Sequence, residues 1–93
     1  MKEYEIEKVK DFTDTAHVIF EHDLDINGYS YLVIFGRHIN GGFVAIPNWK
    51  ISAEMSADGS VLYNTEKLIN AGLDQATALT IARHIETTLE SME

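Results

Sequence analysis

Residues 3–10 alternate, with Tyr4, Ile6 and Lys8 on one side of an extended chain and Glu3, Glu5, Glu7 and Val9 on the other. That two-residue period is the mark of a half-exposed strand. The same period returns over residues 16–26, where Val18, Phe20, His22 and Leu24 fall on one face and Ile19, Glu21, Asp23 and Asp25 on the other. Asn27-Gly28 follows, and a two-residue turn that needs positive φ at both positions predicts a hairpin there. From Tyr29 to Phe35 both faces are apolar, which predicts a central strand covered on both sides. Residues 36–42, with three glycines, read as a loop or bulged turn. Phe43-Val44-Ala45-Ile46 reads as a further strand that Pro47 ends, since proline cannot donate to a ladder. Residues 51–55 predict a short strand closed by Asp58-Gly59, and Val61-Leu62-Tyr63 a last extended piece.

Beyond Tyr63 the period lengthens. Asn64 is placed to cap a short helix over residues 65–71, with Glu66 in its first turn and Gly72 stopping it in a left-handed conformation. Asp74 caps a second, longer helix over residues 75–91, in which Ala78, Ile81, Ala82, Ile85, Leu89 and Met92 form one stripe. Gln75, Arg83, Glu86 and Glu90 occupy its other side. Strands first and helices last define a single α+β domain over residues 1–93. The expected architecture is an antiparallel sheet of about four to five strands, a C-terminal helical hairpin on one face and the other face open.

Composition narrows the function classes. The 93 residues are 45% hydrophobic and 24% charged, a globular balance with room for one core. The absence of cysteine excludes disulfides, thiolate metal sites and a thiol nucleophile. Acids outnumber Lys plus Arg by 15 to 7, a formal net charge of −8, and such a surface repels phosphate backbones. Direct nucleic-acid binding is therefore not expected. The acidic start of the chain is unlike a signal peptide, and no apolar run approaches the roughly 20 residues of a membrane span. A cytoplasmic protein without membrane contact is the expectation.

The charge is unevenly spread along the chain. Residues 1–27 carry net −5, residues 28–56 net +1 and residues 57–93 net −4. Glu3, Glu5 and Glu7 share one strand face, and Glu21, Asp23 and Asp25 share another. Each triplet repeats at roughly 6.8 Å, given about 3.4 Å of rise per strand residue. Phosphates along a nucleic-acid strand are about 7 Å apart, so these six carboxylates are candidate phosphate surrogates for a basic groove. The plainer explanation is a solvated, charged strand face that guards a sheet edge against aggregation.

Other candidate chemistry is thin. The stretch of residues 36–42 lacks the Lys-Ser/Thr ending of a phosphate loop and leads into a strand. Arg37 and His38 beside Trp49 would make a small cationic and aromatic patch, although Asn40-Gly41-Gly42 is equally well explained as turn chemistry. His17, His22, His38 and His84 show no metal spacing, and no serine sits in a nucleophile elbow. No catalytic residue, metal site or cofactor is expected. The helical hairpin has the outline of a helix-turn-helix, but its second helix offers only Arg83 to phosphates. Packing on the sheet, or of Ala78, Ile85 and Met92 on a second copy, explains it better.

Residues 35–49 and 63–68, through Gly41-Gly42-Phe43-x-x-Ile46-Pro47 and Asn64-Thr65-Glu66-Lys67-Leu68, resemble small uncharacterised proteins of Gram-positive bacteria and their phages and mobile elements. The resemblance covers under a quarter of the chain and assigns no site. It implies a context in which small acidic proteins inhibit host defences, anti-CRISPR and anti-restriction proteins among them. The leading expectation is a non-enzymatic inhibitor, anti-CRISPR in type. It would engage the basic nucleic-acid-binding groove of a host protein, such as a CRISPR effector, through Glu3, Glu5, Glu7, Glu21, Asp23 and Asp25. The alternative is an acidic, homodimeric interaction module of a mobile element with no inhibitor role.

Overall fold

A computed structural model of the chain describes residues 16–38, 41–56 and 60–91. The strand expected over residues 3–10, with Glu3, Glu5 and Glu7, lies outside these residues, as does Met92. Four strands, β1 (Ala16–Ile26), β2 (Tyr29–His38), β3 (Gly41–Ile46) and β4 (Ile51–Met55), form an antiparallel sheet in sequential order. Two helices follow, α1 (Val61–Asn70) and α2 (Gln75–Glu90). The domain is α+β, an all-antiparallel sheet with a C-terminal helical hairpin.

The β1–β2 hairpin turns at Asn27 and Gly28, whose φ values of 53° and 84° are the left-handed pair that an Asn-Gly turn supplies. Register then sets the faces. Phe20 lies opposite Phe35, His22 opposite Val33 and Leu24 opposite Tyr31. These residues face the helices, where Phe35, Val44, Ile46, Leu68, Ile81 and Ile85 are completely buried in the main core. The α2 stripe therefore packs as its period predicts, with Ala78, Ile81, Ala82, Ile85 and Leu89 all buried.

Four expectations need correction. The face away from the helices is not open at its centre, because Ile34, Phe43 and Ala45 are fully buried there with Ile19 and Leu32 packed against them. This is the double-sided burial that the apolar run of β2 implies.

Within the loop expected over residues 36–42, residues 36–38 and 41–42 are strand, the former in β2 and the latter opening β3. His38 pairs with Gly41. Gly36 is needed inside the strand because a Cβ there would lie 2.0 Å from the Val18 carbonyl oxygen. Next to that approach, β1 shifts register between Ala16 and Val18, the mark of a bulge.

Val61-Leu62-Tyr63 is the first turn of α1 rather than a strand. A three-residue apolar run carries no period, and here Val61, Asn64 and Leu68 supply the helix-spaced inner face. Asn64 is accordingly not a cap. It is wholly buried within α1, its backbone N–H donates to Ser60 O, and its Oδ1 accepts from the Ser56 N–H at 2.8 Å.

The end of α1 follows expectation. Gly72, at φ 122°, lets its own N–H reach Ile69 O while the Leu73 N–H reaches Leu68 O, a Schellman closure in which Leu68 and Leu73 are both buried. Asp74 then caps α2 by accepting from the Thr77 N–H at 3.1 Å.

Candidate functional site

Three arrangements carry chemistry. The first is the acidic face of β1. Strand alternation sends Glu21, Asp23 and Asp25 to the side away from the helices, and all three are exposed. Opposite them on β2 stand Ile34, Leu32 and Ser30, so the carboxylates border the apolar centre of that face. β1 lies at one end of the described strand order.

The second arrangement is a cleft of about 440 Å³ at the turn end of the first hairpin, lined by Ile26, Tyr29, Tyr31, Trp49, Asp74 and Thr77, with Asn27 at the turn. Its wall is built where β3 leaves β2. β3 pairs with β2 only from Ile34 onward, which leaves the backbone of Ser30 and Leu32 without a strand on that side. Pro47 ends β3 and begins a single 3₁₀ turn, Pro47–Trp49, that covers the gap. The Asn48 side-chain amide acts as a one-residue strand: Oδ1 accepts from the Leu32 N–H at 3.0 Å and Nδ2 donates to Ser30 O at 2.9 Å. Trp49 Nε1 donates to the same carbonyl at 2.8 Å.

That bond fixes the indole. Tyr31 stacks on it at 4.8 Å between centroids with 13° between planes, and Tyr29 meets it edge to face at 5.8 Å. Asp74 reaches the same cleft from the start of α2. Hydrogen bonds from Thr77, side chain first and then backbone, hold its carboxyl below the usual carboxylate range, so it is an anion at neutral pH.

The third arrangement is a histidine pair. His22 on β1 and His84 on α2 meet Nδ1 to Nε2 at 2.7 Å, with Phe20 and Phe35 around them. One ring must donate and the other accept, which requires at least one neutral imidazole. Burial, and secondarily the neighbouring His22, push the His84 pKa below its ordinary value. Among the described residues no three His, Asp or Glu side chains gather into a metal-binding group.

The patch expected from Arg37, His38 and Trp49 does not form. Trp49 is bonded to Ser30, and Arg37 lies seven positions further along β2, roughly 23 Å of strand at about 3.3 Å per residue. Of the two packings open to the helical hairpin, that on the sheet is the one found, because Ala78 and Ile85 are fully buried under it, while Met92 lies outside the described residues. Sequence reading missed the cleft. Its one local signal was the Tyr-x-Tyr step that puts Tyr29 and Tyr31 on one face, and nothing local announced Trp49 or Asp74 as their neighbours.

Fold and site thus define a small α+β domain with an acidic strand face and an aromatic, acid-walled cleft. The chain belongs to DUF6618, a family of unknown function, whose model matches residues 3–93. No curated protein and no solved structure matches it significantly.

Proposed function

We propose that this chain is a non-enzymatic binding protein that engages a basic, nucleic-acid-binding surface of another protein through the acidic face of β1. The role is that of a phage or mobile-element inhibitor of host defence, anti-CRISPR in type. The observation that carries this reading is the alternating display of Glu21, Asp23 and Asp25 on one exposed strand face. Three carboxylates at phosphate-like steps attract a cationic groove, and the net charge of −8 steers the encounter over longer distances.

Capture from host lysate tests the reading. Immobilised protein should retain a basic nucleic-acid-binding protein at low salt and release it as salt rises. The variant Glu21→Lys, Asp23→Lys, Asp25→Lys should retain none of it. Equal retention by the variant refutes the reading.

A second reading is an acidic homodimer without an inhibitor role. Leu62 and Ile69, seven residues apart on one side of α1, are 76% and 38% exposed, and Tyr63 beside them is 43% exposed. Apolar residues so placed favour a seam between copies. Sedimentation at two concentrations decides it: a dimer that Leu62→Glu dissociates supports this reading, and a monomer at both concentrations removes it.

A further inference from the structure

We propose that the cleft at the turn of the first hairpin binds an organic cation, an alkylammonium or guanidinium group, independently of the acidic β1 face. Tyr29, Tyr31, Trp49 and the acidic residue Asp74 all line it. Trp49 is held by its bond to Ser30 O and by the stack on Tyr31, so its ring is positioned before any ligand arrives. Aromatic faces attract cations through their quadrupole, indole most strongly, and guanidinium or methylated ammonium groups lose less hydration there than a bare ammonium.

Burial does not account for the arrangement. Tyr31, at 4% exposure, serves the core, whereas Tyr29 is 58% and Trp49 40% exposed. Two large rings left at the mouth of a cleft are better suited to a ligand than to the fold. The strand-edge cap explains why the indole N–H is anchored. It does not explain a second, solvent-facing tyrosine set edge-on to the indole in a cleft that Asp74 also lines.

Charge decides the sign of the ligand. The cleft adjoins the start of α2, where a helix end carries roughly half a positive charge and by itself would invite an anion. Here that position is taken by Asp74, whose full negative charge outweighs the helix end and whose carboxylate already accepts the Thr77 N–H. An anion would meet this carboxylate; a cation is drawn to it. A volume of about 440 Å³ is enough for a choline-sized molecule or the end of an arginine or methylated lysine side chain.

The same chemistry has two sources, a free small molecule or a side chain of a basic protein. Trp49 is the only tryptophan in the chain, so tryptophan emission, excited selectively over the four tyrosines, reads this cleft alone. Titration with choline and with butylguanidinium should give a saturable change in emission. 3,3-Dimethylbutanol, the neutral counterpart of choline, should give none. A trimethyllysine or arginine peptide binding more tightly than the free cations assigns a protein side chain as the source, and the reverse order assigns a small molecule. Tyr29→Ala, at an exposed position, and Asp74→Asn, which keeps a good helix cap, should each weaken binding by about 3- to 30-fold. The triple Lys variant of β1 should bind choline as the parent does, so failure of the β1 reading and failure of this site are separable. Silence toward both cations, an equal response to the neutral alcohol, or full binding by both cleft variants would overturn the proposal.

Discussion

His22 and His84, 62 residues apart in sequence, are joined by a 2.7 Å nitrogen-to-nitrogen hydrogen bond that ties β1 to the long helix. The bond needs at least one neutral ring, and a proton on each would replace it with like charges. Because His84 titrates below its ordinary value of 6.5, the unfolded chain takes up its proton more readily than the folded one. The stabilisation is complete above about pH 6.5 and declines as pH falls below it. The denaturation midpoint should therefore drop between pH 7 and 5, above the range where ordinary carboxylates titrate. His84→Gln should flatten this slope. An unchanged slope in that variant would show that the pair does not control it.

Asn48 replaces a missing strand at the edge of β2 and holds the loop that carries Trp49. Asn48→Ala removes both side-chain bonds to the β2 backbone and should cost about 1–3 kcal/mol in urea denaturation. Asn48→Asp keeps the acceptor for the Leu32 N–H but loses the donor to Ser30 O, and should fall between the two. Equal stability of all three proteins would mean that water serves this edge as well as the amide does.

Gly36 is fixed by a neighbour rather than by its own dihedral angles. With a Cβ brought to 2.0 Å from the Val18 carbonyl, Gly36→Ala must open the β1–β2 pairing beside the bulge. Amide exchange should accelerate from Val18 to Phe20 in that variant. Protection equal to the parent's would show that the two strands part at no cost.

Ile85 distinguishes core from interface. It is fully buried between α2 and the sheet, so Ile85→Ala should cost about 2–5 kcal/mol and Ile85→Glu should abolish the cooperative fold. Circular dichroism and thermal denaturation check both. A folded Ile85→Glu protein would place this residue on a surface instead.

Legibility followed locality. β1, the Asn27-Gly28 turn, the Gly72 stop and the Asp74-capped helix were readable because each rests on residues close in sequence. α1 began a turn earlier than Asn64 suggested, because Asn64 looks like a cap locally while its side chain is drawn inward to the Ser56 N–H. Gly36 read as loop because its reason is a carbonyl 18 residues earlier. The candidate sites divide in the same way. Alternation alone placed Glu21, Asp23 and Asp25 on one exposed face, whereas the histidine pair and the cleft join residues from opposite ends of the chain. Only the tertiary fold brings Asp74 to Trp49 or His84 to His22.

The most direct test of the central claim is the dissociation constant of the captured basic partner, measured against the parent chain and against Glu21→Gln, Asp23→Asn, Asp25→Asn, with the partner's own nucleic acid as competitor. The account requires a loss of at least about a hundredfold, near 2.7 kcal/mol, in the neutralised variant and mutually exclusive binding of protein and nucleic acid. An unchanged constant, or a ternary complex containing both, would contradict it.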